Sequence, residues 1–279
     1  MQGNKVCTQR RIIREAINKM QKFQSIQVER DGPVAIVSFN RPGSLNAINA
    51  SIREEFPLAI KEVNDDEDIR VVILTGVGRA FCAGADLTEG MLEGASVEDA
   101  LNEQYKPVLM AISNAPKPWI SAVNGAAAGI GSAFVMACDL TLMAEDAYLY
   151  QAFAAIGLIP DGGATWHLAR TVGRKKAYEL IAFGEKLKAE DCLQLGLCNC
   201  VVPAEKLIDE AKAMATVLAS KAPLSLRYAK EAVNAAMSHD LASTISIEAH
   251  LQEICAKSDD AKEGGLAFLQ KRAAVFTGR

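Results

Sequence analysis

Two short segments rich in glycine and alanine hold the residues best placed to do chemistry in this 279-residue chain. Residues 79–87 read RAFCAGADL, and residues 124–133 read NGAAAGIGSA. Each follows a short apolar run, residues 71–74 or 119–123, of the kind that forms a buried strand. Small residues let a ligand approach the main chain, and a loop that enters a helix presents free N–H groups to an anion. Two such loops can aim two N–H donors at one oxygen atom.

Each segment taken alone has a purely structural explanation. A tight strand-to-helix turn accounts for the first segment equally well. Close helix packing accounts for the second, in which a GxGxxG dinucleotide motif is not completed because Phe134 stands in its last position. Together, the two loops are more specific evidence for a site that binds an oxygen atom through two N–H donors.

Asp161, in the segment Pro160-Asp161-Gly162-Gly163, is the carboxylate of most chemical interest. Apolar neighbours such as Ile159 favour a raised pKa, which brings a carboxylate closer to a useful general base. The alternative is an aspartate that only supplies the local hydrogen bonds of a Pro-Asp-Gly turn. Two other candidates are weaker: the apolar neighbours of His167 favour a packed residue, and Ser132 lacks a nucleophile-elbow context.

Strands that alternate with helices must position these residues. A hairpin around Asp31-Gly32-Pro33 comes first, followed by a helical pattern at residues 51–63. Later strands are predicted at 71–76, 119–123, 139–144 and 148–150, and helices at 107–115 and 125–137. After Pro203 the pattern is helical only, at 204–220, 223–238, 241–257 and 262–275. The sequence therefore predicts an α/β body with mostly parallel strands and an all-helical C-terminal region.

Composition narrows the class of protein. A net charge of −4 argues against a nucleic-acid binder. The 7 cysteines form no CxxC pair and have no histidine at zinc-ligand spacing, so we expect reduced thiols in a cytoplasmic protein and no metal site. No apolar run is long enough for a membrane span. Residues 1–21 form a basic amphipathic extension, for which an organelle transit peptide is the alternative.

The paired loops also resemble the two oxyanion-hole motifs, FxAGAD and NGxAxGxG, of the crotonase (enoyl-CoA hydratase/isomerase) superfamily. The resemblance covers residues 24–276. Further matches lie, in chain order, at Asn40-Arg41-Pro42, Leu45-Asn46-Ala47, residues 137–140, 157–160 and 162–165, Gly196-Leu197, Val201-Val202-Pro203 and residues 268–272.

This resemblance implies a crotonase-like ββα spiral core followed by a C-terminal helical oligomerisation region. The chain would divide into an N-terminal extension (1–21), an acyl-CoA-binding core (22–203) and a trimerisation region (204–279). The implied partners are an acyl-CoA thioester and further copies of the chain, in a homotrimer or hexamer. No cofactor is expected, because CoA is part of the substrate.

The resemblance also assigns residues to roles. The main-chain N–H groups of Ala83 and Ile130 would hold the thioester oxygen. Phe268 and Lys271 match residues near the nucleotide end of CoA, often across a subunit boundary. The remaining residues that the resemblance places against the substrate are Arg41, Leu45, Ala47, Gly84, Ala85 and Asp86.

The chain departs from the hydratase pattern at two positions. Ala133 and Phe153 stand where family hydratases have their two glutamates, and neither side chain can transfer a proton. Asp161 matches the acid of a subset of enoyl-CoA isomerases and phenylacetate-pathway isomerases. A hydrolytic dehalogenase of the superfamily needs a histidine between the two glycine loops, and no histidine precedes His167.

The sequence therefore favours an enzyme that shifts a double bond in an enoyl-CoA through an enolate held in an oxyanion hole, with Asp161 transferring the proton. One alternative is an enoyl-CoA hydratase of fatty-acid or phenylacetate-type catabolism with an atypical acid pair. The other, from a different class, is a non-catalytic acyl-CoA or acyl-carrier binding subunit.

Overall fold

The computed structural model describes residues 23–89 and 96–279, so the predicted N-terminal extension, residues 1–21, lies outside the described residues. Ten strands are described: β1 (Ile26–Asp31), β2 (Val34–Phe39), β3 (Val71–Gly76), β4 (Ala80–Cys82), β5 (Trp119–Val123), β6 (Ala126–Ala128), β7 (Leu140–Ala144), β8 (Tyr148–Tyr150), β9 (Lys186–Lys188) and β10 (Cys200–Val202).

The described helices are α1 (Ala50–Asp65), α2 (Val97–Ala100), α3 (Lys106–Ser113), α4 (Ile130–Ala137), α5 (Ala164–Thr171), α6 (Gly173–Phe183), α7 (Ala189–Gln194), α8 (Leu207–Ala219), α9 (Pro223–Ala236), α10 (Leu241–Ala256) and α11 (Asp259–Leu269). A π-helical segment, Leu101–Tyr105, joins α2 to α3.

The strands form two sheets. The 6-stranded sheet has the order β1-β2-β3-β5-β7-β10, and the 4-stranded sheet has the order β4-β6-β8-β9. Apart from the antiparallel pairs β1–β2 and β8–β9, all neighbouring strands run parallel. Successive pairs β3–β4, β5–β6 and β7–β8 each give one strand to each sheet before the chain enters helices, which is a ββα spiral. The predicted α/β class is confirmed.

Two of the predicted helices have wrong boundaries. Residues 125–137 do not form one helix, because Gly129 has φ 52° and ψ −128°, outside the helical region, and separates β6 from α4. The last helix is α11 rather than 262–275. Ser258 accepts a hydrogen bond from the Ala261 N–H and so begins this helix, while the acidic residues that follow it occupy the first turn.

Four phenylalanines pack beneath the two glycine loops. Phe39 lies 4.9 Å from Phe56 and 5.7 Å from Phe81, measured between ring centroids, and Phe134 lies 5.3 Å from Phe56. All four rings are buried. Phe81 precedes the first loop and Phe134 belongs to the helix that follows the second, so this cluster fixes the two loops to the same core.

Four C-terminal helices, α8 to α11, follow the last strand in the chain. Helix α8 packs on β3 and β5, whereas α9, α10 and α11 carry exposed apolar side chains, including Val233, Leu241, Ile245 and Leu266. These apolar faces are compatible with the predicted oligomerisation region, which stays a prediction. Within residues 23–89 and 96–279, no helix is long and apolar enough to cross a membrane.

Candidate active site

The two glycine loops meet main chain to main chain. Their strands are neighbours in the smaller sheet, where Ala80 of β4 pairs with Ala126 of β6. A Cβ atom built on Gly84 would lie 3.0 Å from the Ala128 carbonyl oxygen, and one built on Gly129 would lie 3.8 Å from the Gly84 Cα. A Cβ on Gly84 would crowd the Ala128 oxygen, and both glycines have a positive φ, 102° and 52°, which other residues rarely adopt, so this contact depends on glycine.

Ile130 supplies an N–H donor at this meeting point. It is the first residue of α4, where a main-chain N–H has no intrahelical acceptor. The structure gives the Ile130 N–H no acceptor among the described residues. Its side chain is buried, so the donor lies at the edge of the core and not on an open surface.

The structure corrects the assignment of the second donor. The Ala83 N–H already donates to the Leu45 carbonyl oxygen at 3.0 Å, so it is not available to a ligand. The prediction that Ala83 supplies the oxyanion donor is therefore wrong. Ala83 instead anchors the first loop to the segment that carries Leu45.

Ala85 has the free N–H in this loop. It forms a one-residue parallel bridge with Ile48, in which the Ile48 N–H donates to the Gly84 oxygen at 2.8 Å and the Asp86 N–H donates to the Ile48 oxygen at 3.0 Å. In such a bridge the N–H of the central residue faces the opposite side. Across residues 23–89 and 96–279 it has no acceptor. Ala85 in the first loop and Ile130 in the second therefore each offer an N–H donor without an acceptor among the described residues.

The segment containing Arg41 lies against the first loop. The Arg41 guanidinium donates to an Asp86 carboxylate oxygen at 2.9 Å and to the Ala47 carbonyl oxygen at 2.6 Å. A hydrogen bond from the Thr88 hydroxyl, followed by the Arg41 interactions, lowers the pKa of Asp86, so Asp86 stays ionised and the ion pair persists at neutral pH. The structure thus brings together two segments that carry predicted substrate-binding residues, 41–47 and 83–86.

Phe268 and Lys271 lie elsewhere in the chain. Phe268 is 83% exposed near the end of α11, and Lys271 is also exposed, just beyond that helix. Within the described part of the chain, no hydrogen bond or ion pair joins either residue to the glycine loops. Their predicted contact with CoA across a subunit boundary stays a prediction.

Asp161 lies in a turn that packs against α4, the helix that begins at Ile130. The turn that carries it packs so tightly on α4 that a Cβ atom on Gly162 would lie 2.3 Å from the Ile130 Cδ1 and 2.8 Å from the Ala133 Cβ. The Asp161 Oδ1 is buried, and the described residues offer it no hydrogen-bond partner. Burial raises the Asp161 pKa to about 6, against the opposing effect of its own main-chain N–H.

The positions of the missing glutamates are apolar and closed. Ala133 is fully buried, and Phe153 is buried with its ring beside Gly129, 3.7 Å from where a Cβ atom would stand. Among the described residues, Asp161 is the only acid with a buried side-chain oxygen that lacks a partner. Within residues 23–89 and 96–279, Asp161 is therefore the carboxylate best placed to accept a proton here.

A cleft of about 600 Å³ opens at Gly162 and Gly163, the two residues that follow Asp161 in the chain. Its lining is mainly apolar and aromatic and includes Tyr105, Leu109, Trp166 and His167, together with Gly162. Burial lowers the pKa of His167 to about 4, so this imidazole is neutral at pH 7, in keeping with a packed residue. The cleft has room for an apolar acyl group but offers no second charged acid.

Sequence reasoning missed Asn46 and Tyr105 as site residues. Asn46 is fully buried with φ 58°, and its amide donates to the Val77 and Ala80 carbonyl oxygens at 3.0 and 2.7 Å. Its place in Leu45-Asn46-Ala47, a segment that matches the family, could have identified Asn46 as a site residue. Tyr105 had no such signal, because the π-helical segment that turns it into the cleft follows no periodic pattern.

Comparisons with known proteins agree with this architecture. The family model described as "Enoyl-CoA hydratase/isomerase" matches residues 29–279. A probable enoyl-CoA hydratase of Rhodobacter capsulatus is 39% identical over 257 residues, covering 92% of this chain and 99% of that protein. The 1,2-epoxyphenylacetyl-CoA isomerase of Escherichia coli is 37% identical over 268 residues, covering 93% and 100%.

A solved structure, an enoyl-CoA hydratase from Bacillus anthracis, superimposes with a TM-score of 0.86 at 33% identity, covering 92% of this chain and 100% of that one. Both the sequence and the fold are therefore matched over nearly their whole length. With the paired glycine loops at its centre, the chain belongs to the enoyl-CoA hydratase/isomerase family, the crotonase superfamily, and is an enzyme of that type.

Proposed function

We propose that this enzyme shifts a double bond in an enoyl-CoA, using Asp161 as the only proton-transfer group. The observation that carries the proposal is the buried, unpartnered oxygen of Asp161, whose neighbour Gly162 packs on the Ile130 side chain. A double-bond shift removes a proton from one carbon and returns it to another, so one carboxylate can serve both steps. Hydration needs one group to activate water and one to protonate the α-carbon, and Ala133 and Phe153 offer neither.

The proposed reaction proceeds through an enolate. The Asp161 carboxylate takes a proton from the α-carbon of a 3-enoyl-CoA, and the electron pair of that C–H bond moves towards the thioester. The oxygen that gains negative charge accepts hydrogen bonds from the Ala85 and Ile130 N–H groups. The protonated Asp161 then returns the proton to the γ-carbon, which gives a 2-enoyl-CoA and restores the carboxylate.

The CoA part of the substrate is proposed to lie along the surface formed by Arg41, Leu45, Ala47, Gly84 and Asp86, with Phe268 and Lys271 of a neighbouring subunit at its nucleotide end. The proposal includes a homotrimer or hexamer in the cytoplasm and no cofactor besides substrate CoA. The exposed apolar faces of α9 to α11 support the assembly.

The names of several relatives make enoyl-CoA hydration the main rival activity. A panel of 2-enoyl- and 3-enoyl-CoA thioesters, followed by NMR, separates the possibilities. We expect interconversion of the two double-bond positions with little 3-hydroxyacyl-CoA. Rapid formation of 3-hydroxyacyl-CoA without any double-bond shift would establish the hydratase instead. Tight acyl-CoA binding with neither product would establish the non-catalytic subunit.

The pH dependence of isomerisation should report the Asp161 pKa. Because the carboxylate is the base, the active form is the ionised one, and burial raises its pKa to about 6. We expect kcat/KM to rise as pH increases through about 6 and then to level off, with loss of activity at lower pH. A profile that stays flat between pH 5 and 8 would contradict the assignment, provided that the folded fraction is constant over that range.

A further inference from the structure

Two buried side chains, Ser132 and Gln151, form a hydrogen-bonded relay to the second glycine loop. The Gln151 Nε2 donates to the Ser132 Oγ at 2.8 Å, and the Ser132 hydroxyl donates to the Gly129 carbonyl oxygen at 2.7 Å. Ser132 is fully buried and Gln151 is 4% exposed. The relay connects the start of α4 to the segment that follows β8.

The directions of these hydrogen bonds are fixed by chemistry. A carbonyl oxygen only accepts, so the single hydroxyl hydrogen of Ser132 must point at Gly129. Gln151 must then present its NH₂ group to the Ser132 oxygen, because this is the one arrangement in which both contacts are hydrogen bonds. The Gln151 Oε1 is buried and has no partner among the described residues. Burying it costs desolvation free energy, and the hydrogen bond from Nε2 to Ser132 opposes that cost.

The carbonyl that receives this relay belongs to the same peptide unit as the Ile130 N–H. Because the peptide bond is planar and trans, the two groups point in opposite directions, and fixing the Gly129 oxygen fixes the direction of the Ile130 N–H. Hydrogen bonds in a chain also polarise one another. A peptide whose carbonyl accepts a strong hydrogen bond is therefore a stronger donor through its N–H.

We propose that Ser132 and Gln151 are positioning residues for the oxyanion donor Ile130. They act by orienting and polarising the peptide between Gly129 and Ile130, so that its N–H is preset for the negative charge that develops on a thioester oxygen. This inference rests on the proposed function, because it takes Ile130 as a donor to the substrate. Neither residue touches the substrate in this account.

A purely local role for Ser132 is the competing explanation. Serine in a helix often bonds back to the carbonyl three or four residues earlier, simply to satisfy its own hydroxyl. Ser220, the C-cap residue of α8, does this by donating to the Val217 oxygen at 2.7 Å, and no residue in the described part of the chain donates to its hydroxyl. Ser220→Ala is therefore a matched control that removes the same local bond far from the loops.

The test measures the donor directly, by infrared difference spectroscopy of bound butyryl-CoA labelled with ¹³C at the thioester carbonyl. This saturated ligand can be neither isomerised nor hydrated, so the reading does not depend on turnover. We expect the parent enzyme to shift the carbonyl stretch to lower wavenumber. Ser132→Ala and Gln151→Met should each lose part of that shift, while Ser220→Ala keeps all of it.

The kinetic readout separates positioning from folding. We expect Ser132→Ala to lower kcat for double-bond isomerisation by about tenfold with little change in KM, less than the 10²–10³ typical of losing a whole donor. Ser132→Thr, which keeps the hydroxyl, should recover most of the loss. Because the two side chains act in one relay, the double variant should be no worse than Ser132→Ala.

The measurements distinguish a failure of the relay from a failure of the proposed function. A parent enzyme that forms no isomer but shifts the carbonyl band, with a smaller shift in Ser132→Ala, would end the proposed function and support the relay. An equal band shift in parent and Ser132→Ala would overturn the relay whatever the activity. Absence of any band shift in the folded, ligand-bound parent would overturn the Ile130 donor and the relay together.

Discussion

Asp161→Asn is expected to lower the rate of double-bond isomerisation by about 10²–10⁴, the usual effect of losing an acid–base group. Asparagine has nearly the same size and the same tendency to form a Pro-Asp-Gly type of turn, but it cannot accept a proton. The Asp161 Oδ1 has no hydrogen-bond partner to lose among the described residues. We therefore expect kcat to fall while CoA affinity and the fold are retained, as measured by steady-state kinetics, calorimetry and circular dichroism.

The matched control is Asp146→Asn, which makes the same change in an exposed turn and should leave kcat at the parental value. Stability supplies a second check. The Asp161 pKa in the folded protein, about 6, lies above the ordinary aspartate value of 3.8, so its ionisation opposes folding as pH rises from about 4 to 6. Asp161→Asn should thus be at least as stable as the parent at pH 8. Parental isomerisation by the folded variant would end the one-carboxylate mechanism.

Ala85→Pro should lower kcat by about 10²–10³, because proline has no main-chain N–H and one oxyanion donor is removed. The loss is confined to the donor: the bridge to Ile48 uses the Gly84 oxygen and the Asp86 N–H, not the Ala85 N–H. Ala85 is also exposed, so no core packing is lost. Isomerisation kinetics on the folded variant, with its thermal midpoint measured alongside, provide the test.

Two companion variants make this result specific. Ala85→Gly keeps the N–H and should retain most of the activity. Ala83→Pro removes the hydrogen bond to the Leu45 oxygen and should lower the thermal midpoint, which Ala85→Pro is not expected to do. If the Ala85→Pro enzyme isomerises at the parental rate, the Ala85 N–H is not an oxyanion donor.

Much of the fold could be predicted from patterns in the sequence. The uninterrupted β-branched run at β3 and the apolar run at β5 predicted strands buried on both faces, and every residue of both strands is buried. The hairpin around Gly32 and the start of α9 at Pro223 were likewise predicted by local turn and helix chemistry. These elements depend on short stretches of chain, which is why the sequence was sufficient.

The details of the site depend on contacts between distant segments, which periodicity does not report. Ala83 and Ala85 have the same side chain and lie two residues apart, and only the approach of Leu45 and Ile48 decides which N–H is free. The strand β6 was assigned to a helix because three alanines have no strand pattern; pairing with β4 and β8 makes it a strand. Asp161 was found through its match to the acid of a family subset; its apolar neighbour Ile159, expected to raise its pKa, is 82% exposed.

Hydrogen–deuterium exchange at the substrate α-carbon tests the central claim most directly, namely that Asp161 forms a thioester enolate. A 3-enoyl-CoA is incubated in D₂O with parent enzyme and with Asp161→Asn, and deuterium at the α- and γ-carbons is followed by NMR. We predict deuterium at both carbons with the parent, because the carboxyl proton of Asp161 exchanges with D₂O while the enolate persists, and labelling at least about 100-fold slower with the variant. Equal exchange in parent and variant, or isomerisation by Asp161→Asn at the parental rate, would contradict the account.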